Sequence, residues 1–129
     1  MNALEIAQHF TRPGDPGRLL ELMAPDGVIE WPYRPEGVPG VLRGRDEIAA
    51  FVGEQGGIIT FHEYTDVVFH ETADPEVVIV EYTAHGTVTA TGAPFTQRPI
   101  QVIRVRDGRI VSFRDYVNPL PLLEVIGKR

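Results

Sequence analysis

Residues 100–119, Ile-Gln-Val-Ile-Arg-Val-Arg-Asp-Gly-Arg-Ile-Val-Ser-Phe-Arg-Asp-Tyr-Val-Asn-Pro, constrain this chain more tightly than any other stretch. They read as a β-hairpin around Asp107-Gly108. Side chains in a strand alternate with period two, so Val111, Phe113, Asp115 and Val117 fall on one face. Ile110, Ser112, Arg114 and Tyr116 fall on the other. Asp115 therefore points to the side that apolar residues bury. A buried carboxylate must be paired, hydrogen-bonded or protonated, which makes it a candidate acid or base.

Two closures of the hairpin are possible. A two-residue Asp107-Gly108 loop sets Asp115 beside Ile100, Val102 and Arg104. A three-residue Arg106-Asp107-Gly108 loop, with Gly108 left-handed and a bulge, sets it beside Gln101, Ile103 and Val105. The second gathers the apolar residues on one face, and register follows the hydrophobic pattern. The expectation is thus a three-residue loop, with Gln101 and Asp115 as two polar groups on one apolar wall.

At 129 residues the chain has the length of one domain with a single sizeable core, taken as 1–129. The net charge of −6 argues against a general binder of nucleic acid or of an anionic membrane, because both need clustered positive charge. Cysteine is absent, which excludes disulfides, thiolate catalysis and cysteine-ligated zinc. No basic segment followed by an apolar run opens the chain, and no stretch approaches the ~18 apolar residues of a membrane span. The cytoplasm is the expected compartment.

Taken in order, Asn2 and Glu5 form a capping-box pattern ahead of a helix carrying Ala3, Ile6, Ala7 and Phe10. Pro13-Gly14-Asp15-Pro16-Gly17 breaks it. Asp15 is placed to cap a second helix with Leu19, Leu20, Leu22 and Met23 on its apolar side. Pro25-Asp26-Gly27 reads as a turn and Val28–Trp31 as a short strand. Residues 32–40, with three prolines and two glycines, read as an ordered loop. A short helix follows from about Arg45 to Val52, ended by Gly56-Gly57. Strand patterns at about 58–71 and 76–90 flank the turn Ala73-Asp74-Pro75. A turn at Thr91–Pro94 leads directly into the hairpin, and Leu120–Ile126 reads as a closing helix. Helices segregated before an antiparallel sheet imply an α+β architecture with a cavity between sheet and helix.

Several segments together resemble the NTF2-like superfamily, in its SnoaL-like branch: Gly14-Asp15, Val28-Ile29-Glu30-Trp31-Pro32, Leu42-Arg43-Gly44-Arg45-Asp46-Glu47-Ile48, Glu71-Thr72-Ala73-Asp74-Pro75, and Asp107–Ile110 through Phe113–Pro119. The middle and last segments are most similar to the phenazine-biosynthesis A/B-type proteins. The resemblance implies a cone-shaped α+β fold, with N-terminal helices against a strongly curved mixed or antiparallel sheet around a central cavity. It also implies a homodimer through the outer sheet face. Position by position, the catalytic residues of steroid-isomerase relatives fall on Ala7, Trp31 and Gln101. The acid/base aspartate of the polyketide cyclases falls on Gln101. An aspartate of the limonene-epoxide hydrolases falls on Asp115, with their arginine and other aspartate near Tyr82 and Ala84. The phenazine-type proteins carry a glutamate at Asp115 and a histidine near Phe51. Asp115 is the one matched catalytic position.

The candidate catalytic residue is therefore Asp115, as general acid or base. The candidate substrate-binding residues are Gln101, Trp31, Tyr33, Tyr82 and Phe113, since aromatic rings with polar tips suit a flat organic ligand. The plainer alternative for each is packing, or a hydrogen bond that holds the wall together. His9, His62, His70 and His85 show no metal-ligand spacing, and neither metal nor organic cofactor is expected. The expected function is isomerase, cyclase or dehydratase chemistry on a small hydrophobic or aromatic metabolite, probed against the alternative of a non-catalytic binder or carrier. One scaffold hosts many activities, so the reaction itself stays open.

Overall fold

A computed structural model describes residues 1–11, 17–55 and 57–127. The expected cap at Asp15 and the helix end at Gly56 lie outside these residues. The first helix, α1 (Ala3–Phe10), begins with the reciprocal Asn2–Glu5 capping box expected from the sequence, and buries Ala3, Ile6 and Ala7. It is followed by α2 (Gly17–Leu22), β1 (Met23–Glu30), β2 (Val41–Arg43), α3 (Gly44–Gln55), β3 (Ile59–Glu71) and β4 (Val77–Val88). The chain continues through β5 (Pro94–Gln97), β6 (Ile100–Arg106), β7 (Arg109–Tyr116) and α4 (Pro119–Gly127).

The strands form one seven-stranded mixed sheet in the order β2-β1-β7-β6-β4-β3, with β5 also paired to β4. One edge of β4 is covered by β3. The other is divided, β6 pairing with Val77–Glu81 and β5 with Ala84–Thr87. The concave face carries the core residues Val78, Val80, Ile103 and Ile110 and packs on α1, which contributes Ile6. The α+β class and the helices against a curved sheet agree with the sequence reading.

Four local readings change. Met23 does not extend α2 but starts β1, opposite Ile110. Pro25-Asp26-Gly27 does not reverse the chain. It forms an irregularity in β1, where the pairing with β7 slips between Met23 and Val28. β1 lies parallel to β7, so the sheet is mixed, and the two short strands β2 and β5 join it. Finally, the hairpin closes on the two-residue loop: Arg106 faces Arg109, with Asp107 (φ 52°) and Gly108 (φ 76°) both left-handed. That is the geometry of a type I′ turn.

The face assignment survives for Phe113 and Asp115 but is reversed for Ile110 and Val111, because a bulge does part of what the longer loop was expected to do. Pairing shifts between Arg104 and Val105, so that Val111 is the unpaired extra residue. Ile110 then turns inward and is fully buried, while Phe113 and Asp115 stay on the inner face. Two more shifts occur in β3, between Phe61 and Glu63 and between Thr65 and Val68, the latter at Asp66 with φ 54°. Each extra residue bends and twists its strand. Together they curl the sheet around α1.

Gly86 lies where the β3 backbone passes close to β4. A Cβ there would overlap the backbone carbonyl of Thr60 and sit 3.1 Å from the Phe61 Cα, and neither backbone atom can swing aside. Gly86→Ala is expected to destabilise the fold by about 1–3 kcal/mol, the usual range for forcing extra volume into a packed region. Urea denaturation of the variant beside the parent checks this, and an unchanged midpoint would contradict it.

Candidate active site

The inner wall is built by β6 and β7, where Gln101 lies directly opposite Asp115. The Gln101 Nε2 donates to Asp115 Oδ1 at 3.2 Å and to the Tyr82 hydroxyl at 3.0 Å. Trp31, just past the end of β1, donates its indole Nε1–H to Asp115 Oδ2 at 3.3 Å. The parallel β1–β7 pairing makes this reach possible, because Ile29 and Glu30 run beside Phe113 and Arg114. Both carboxylate oxygens thus accept from neutral donors. Gln101 is only 3% exposed, and its Oε1 has no partner. The reverse amide orientation would instead leave two buried N–H donors without acceptors, so the observed one fits an ionised Asp115.

Removal from water raises the Asp115 pKa to about 6, and the Gln101 and Trp31 donors hold it from rising further. Tyr82 is buried beside Gln101, and burial pushes its hydroxyl well above the usual value. Tyr64 stacks on Tyr82 with ring centroids 4.5 Å apart, and burial raises its pKa also. Both tyrosines stay protonated at neutral pH.

A cavity of about 640 Å³ meets this cluster at Trp31 and is lined further by Phe51, Ile58, Phe61, Val117 and Leu122, with Tyr33, Arg34 and Glu36 at its rim; Asp115, Gln101 and Tyr82 are not among its lining residues. The rim loop is ordered, as expected: the Trp31 amide donates to the Gly40 carbonyl at 2.8 Å, and Val38 to Pro35 at 3.2 Å. A second cavity of about 880 Å³ lies across α4, which presents Leu122 to the first and Val125 to the second.

The sequence-derived candidates therefore separate. Asp115, Gln101, Trp31 and Tyr82 form one hydrogen-bonded chain. Tyr33 stands at the rim, 61% exposed, with its ring edge-on to Tyr116. Phe113 is buried against Phe10 at 5.1 Å, packing the sheet on α1 and not lining the cavity. Sequence reasoning missed Tyr64, Phe51 and Phe61. The bulge between Phe61 and Glu63 puts His62 on the outer face, where it meets Thr87, and turns Tyr64 inward. Uninterrupted alternation with period two would have put His62 and Tyr64 on one face. Among the described residues, no group of three or more histidine or carboxylate side chains could hold a metal ion.

Comparison with known proteins agrees with this architecture. The SnoaL-like domain family matches residues 6–113. The chain belongs to the SnoaL-like family. A PhzA/B-like protein of Pseudomonas aeruginosa, itself uncharacterized, is 41% identical over 130 residues, covering 98% of this chain and 92% of that protein. The crystal structure of a candidate isomerase from Bacillus subtilis superposes with a TM-score of 0.87 at 35% identity, covering 98% of this chain and 94% of the other. A phenazine biosynthesis-related protein of P. aeruginosa shares the fold, with a TM-score of 0.77 at 21% identity over 98% of this chain and 82% of that one.

A pKa raised on folding has a signed consequence. In the unfolded chain Asp115 titrates near ~3.9, against about 6 in the fold. The folded state binds more protons between these values, so the contribution of Asp115 is fully present below pH ~4 and is lost as pH rises through about 6. Relative to Asp115→Asn, the parent is expected to lose about 2–3 kcal/mol between pH 4 and pH 7. Urea titrations of both proteins across that range measure the difference. Gln101→Leu removes a donor to the carboxylate, so a carbon-13 carboxyl titration should place Asp115 above its parental midpoint.

Proposed function

We propose that this SnoaL-like chain is a cofactor-independent enzyme that performs isomerase, cyclase or dehydratase chemistry on a hydrophobic or aromatic metabolite of secondary metabolism. The observation that carries the reading is the carboxylate of Asp115, held on the inner wall by the Gln101 and Trp31 donors, with a pKa of about 6. A group so poised accepts a proton near neutral pH and returns it readily. Asp115 would be the acid/base. Gln101 and Tyr82 hold its position, while Trp31 and Tyr33 bound the ligand on the cavity side. The chemistry needs neither metal nor organic cofactor. The resemblance to a candidate isomerase at 35% identity supports this class of reaction.

A non-catalytic carrier is the second reading. It is favoured by the hydrogen bonds that already occupy both Asp115 oxygens, and by Ala7, Trp31 and Gln101 standing where relatives place reacting groups. Turnover separates the two. For a substrate found by screening oxygenated aromatic and polycyclic metabolites, Asp115→Asn is expected to lower kcat by at least about 100-fold, within the usual range for removing a general acid/base. The parent's rate should turn with pH near 6. Undiminished turnover in the variant would refute the catalytic role, and saturable binding without turnover by the parent would select the carrier.

The proposal extends to assembly and location. No described helix is long and apolar enough to cross a membrane, and the proposed setting is the cytoplasm. The outer sheet face exposes Ile100 (46%) and Val68 (44%) among Arg104, Arg114 and Tyr116, a mixed surface that suits a homodimer. Ile100→Asp is expected to convert a dimer to a monomer in sedimentation velocity. A parent that sediments as a monomer at high micromolar concentration would refute the dimer.

A further inference from the structure

The cavity of about 640 Å³ stops one inward-facing residue short of the polar cluster on two sides. After β7 it is lined by Val117, two positions beyond Asp115 and so on the same face. Along β3 it is lined by Phe61, and the next inward ring past the bulge is Tyr64, with centroids 6.3 Å apart. Trp31 alone belongs to both spaces. It lines the cavity, and its Nε1–H donates to Asp115 Oδ2 at 3.3 Å.

The indole is held lightly where it stands. Its bond to Oδ2 is longer than the usual ~2.9 Å for N–H···O. Phe51 backs it at 5.2 Å with the rings tilted by 43°, short of a flat stack, and both residues are only half-buried. The backbone beneath is fixed. The Trp31 amide donates to the Gly40 carbonyl at 2.8 Å, and the preceding Ile29 and Glu30 are paired to both β2 and β7. Any movement therefore belongs to the side chain, and the cavity gives it room to turn. Gln101 has no such freedom, being 3% exposed and donating to both Tyr82 and Asp115.

We propose that the Trp31 side chain is a gate: turned as observed it closes the cavity off from Asp115, and turned into the cavity it frees Oδ2 and joins the two spaces. This rests on the reading of Asp115 as the acid/base, and states how a ligand in the cavity reaches it. Gln101 keeps its bond to Oδ1 through the swing, so the carboxylate holds its place while Oδ2 changes partner. The ligand that opening favours carries a hydroxyl or N–H on an apolar body, because that group replaces the indole donor. A pure hydrocarbon would leave Oδ2 without one.

The chain has a single tryptophan, so nitrogen-15 labelling of the indole gives one Nε1–H signal. That proton is expected to exchange with water by local opening, with a protection factor at least about tenfold below that of the amide of Ile103 in the fully buried centre of β6, and unchanged by low urea. Phe51→Ala removes the ring behind the indole and should lower its protection at least about tenfold further, relative to the same amide.

Two substitutions then separate a wall from a mere donor. Asp115 is faced by Gln101 from β6, Tyr82 from β4, Tyr64 from β3 and Trp31, all uncharged near neutral pH, so its titration reads hydration and donors. Trp31→Phe keeps a ring and removes the N–H, and should raise the Asp115 midpoint in a carbon-13 carboxyl titration. Trp31→Ala removes the wall as well. It should lower the midpoint, because burial is the largest influence on this carboxyl and water then relieves it. An indole proton as protected as the Ile103 amide overturns the gate, and so does a midpoint that rises in both variants. The exchange of the parent decides the matter even where Trp31→Ala does not fold. Either adverse result leaves the acid/base reading standing, since turnover by Asp115→Asn decides that separately.

Discussion

The pairing of Gln101 with Asp115 across β6 and β7 is the contact on which the site depends. It places a carboxylate inside a cone otherwise walled by apolar side chains, and links it through one amide to the Tyr82 hydroxyl. The link exists only because Val111 is extruded from the ladder. Without that bulge the tight turn at Asp107-Gly108 would set Gln101 against Arg114 and turn Asp115 to the opposite pairing. A single unpaired residue therefore decides whether Asp115 or Arg114 faces Gln101, since a one-residue slip carries every side chain of a strand to the other face.

The carboxylate is retained at a cost. Burial opposes its charge, and two neutral donors offset that opposition only in part, leaving a pKa of about 6. A fully matched carboxylate would be held low and inert, and an unmatched one would be neutral and rigidly protonated. Asp115 lies between, able to change state within the range where proteins work. Gln101 bears the remainder of the cost in an acceptor oxygen with no partner. Unsatisfied buried atoms and intermediate pKa values concentrate where a structure is adapted to more than stability.

Much of the fold was legible in the residues. The capping box of α1, the ordered proline-rich loop and the long β3 and β4 all follow from local chemistry, and the structure reproduces them, while the hairpin alternation holds only from Ser112 onward. Less legible were the elements whose identity is conferred by neighbours. Val41–Arg43 and Pro94–Gln97 are too short to show a period, and become strands because Ile29 and Gly86 offer them open ladder edges. Pro25-Asp26-Gly27 has the composition of a turn, yet it lies within β1 and bulges between the Met23–Ile110 and Val28–Ser112 pairings with β7. In the site, Asp115 and Gln101 stood out as polar residues at apolar positions. Phe113 shares their face as an ordinary apolar residue and packs against Phe10, because α1 lies over that part of the wall.

The sequence by itself determined the class of fold, the inward direction of Asp115 and its companionship with Gln101, because strand periodicity and the segregation of apolar residues act over a few residues at a time. The tertiary structure alone decided what donates to that carboxylate and what does not. Trp31 lies 84 positions away along the chain and arrives through the parallel β1–β7 pairing, while Tyr64 turns inward through a bulge that no alternation rule foresees. That no ion pair reaches Asp115 among the described residues is likewise a fact of packing, since charge balance around a buried group depends on every element that closes over it.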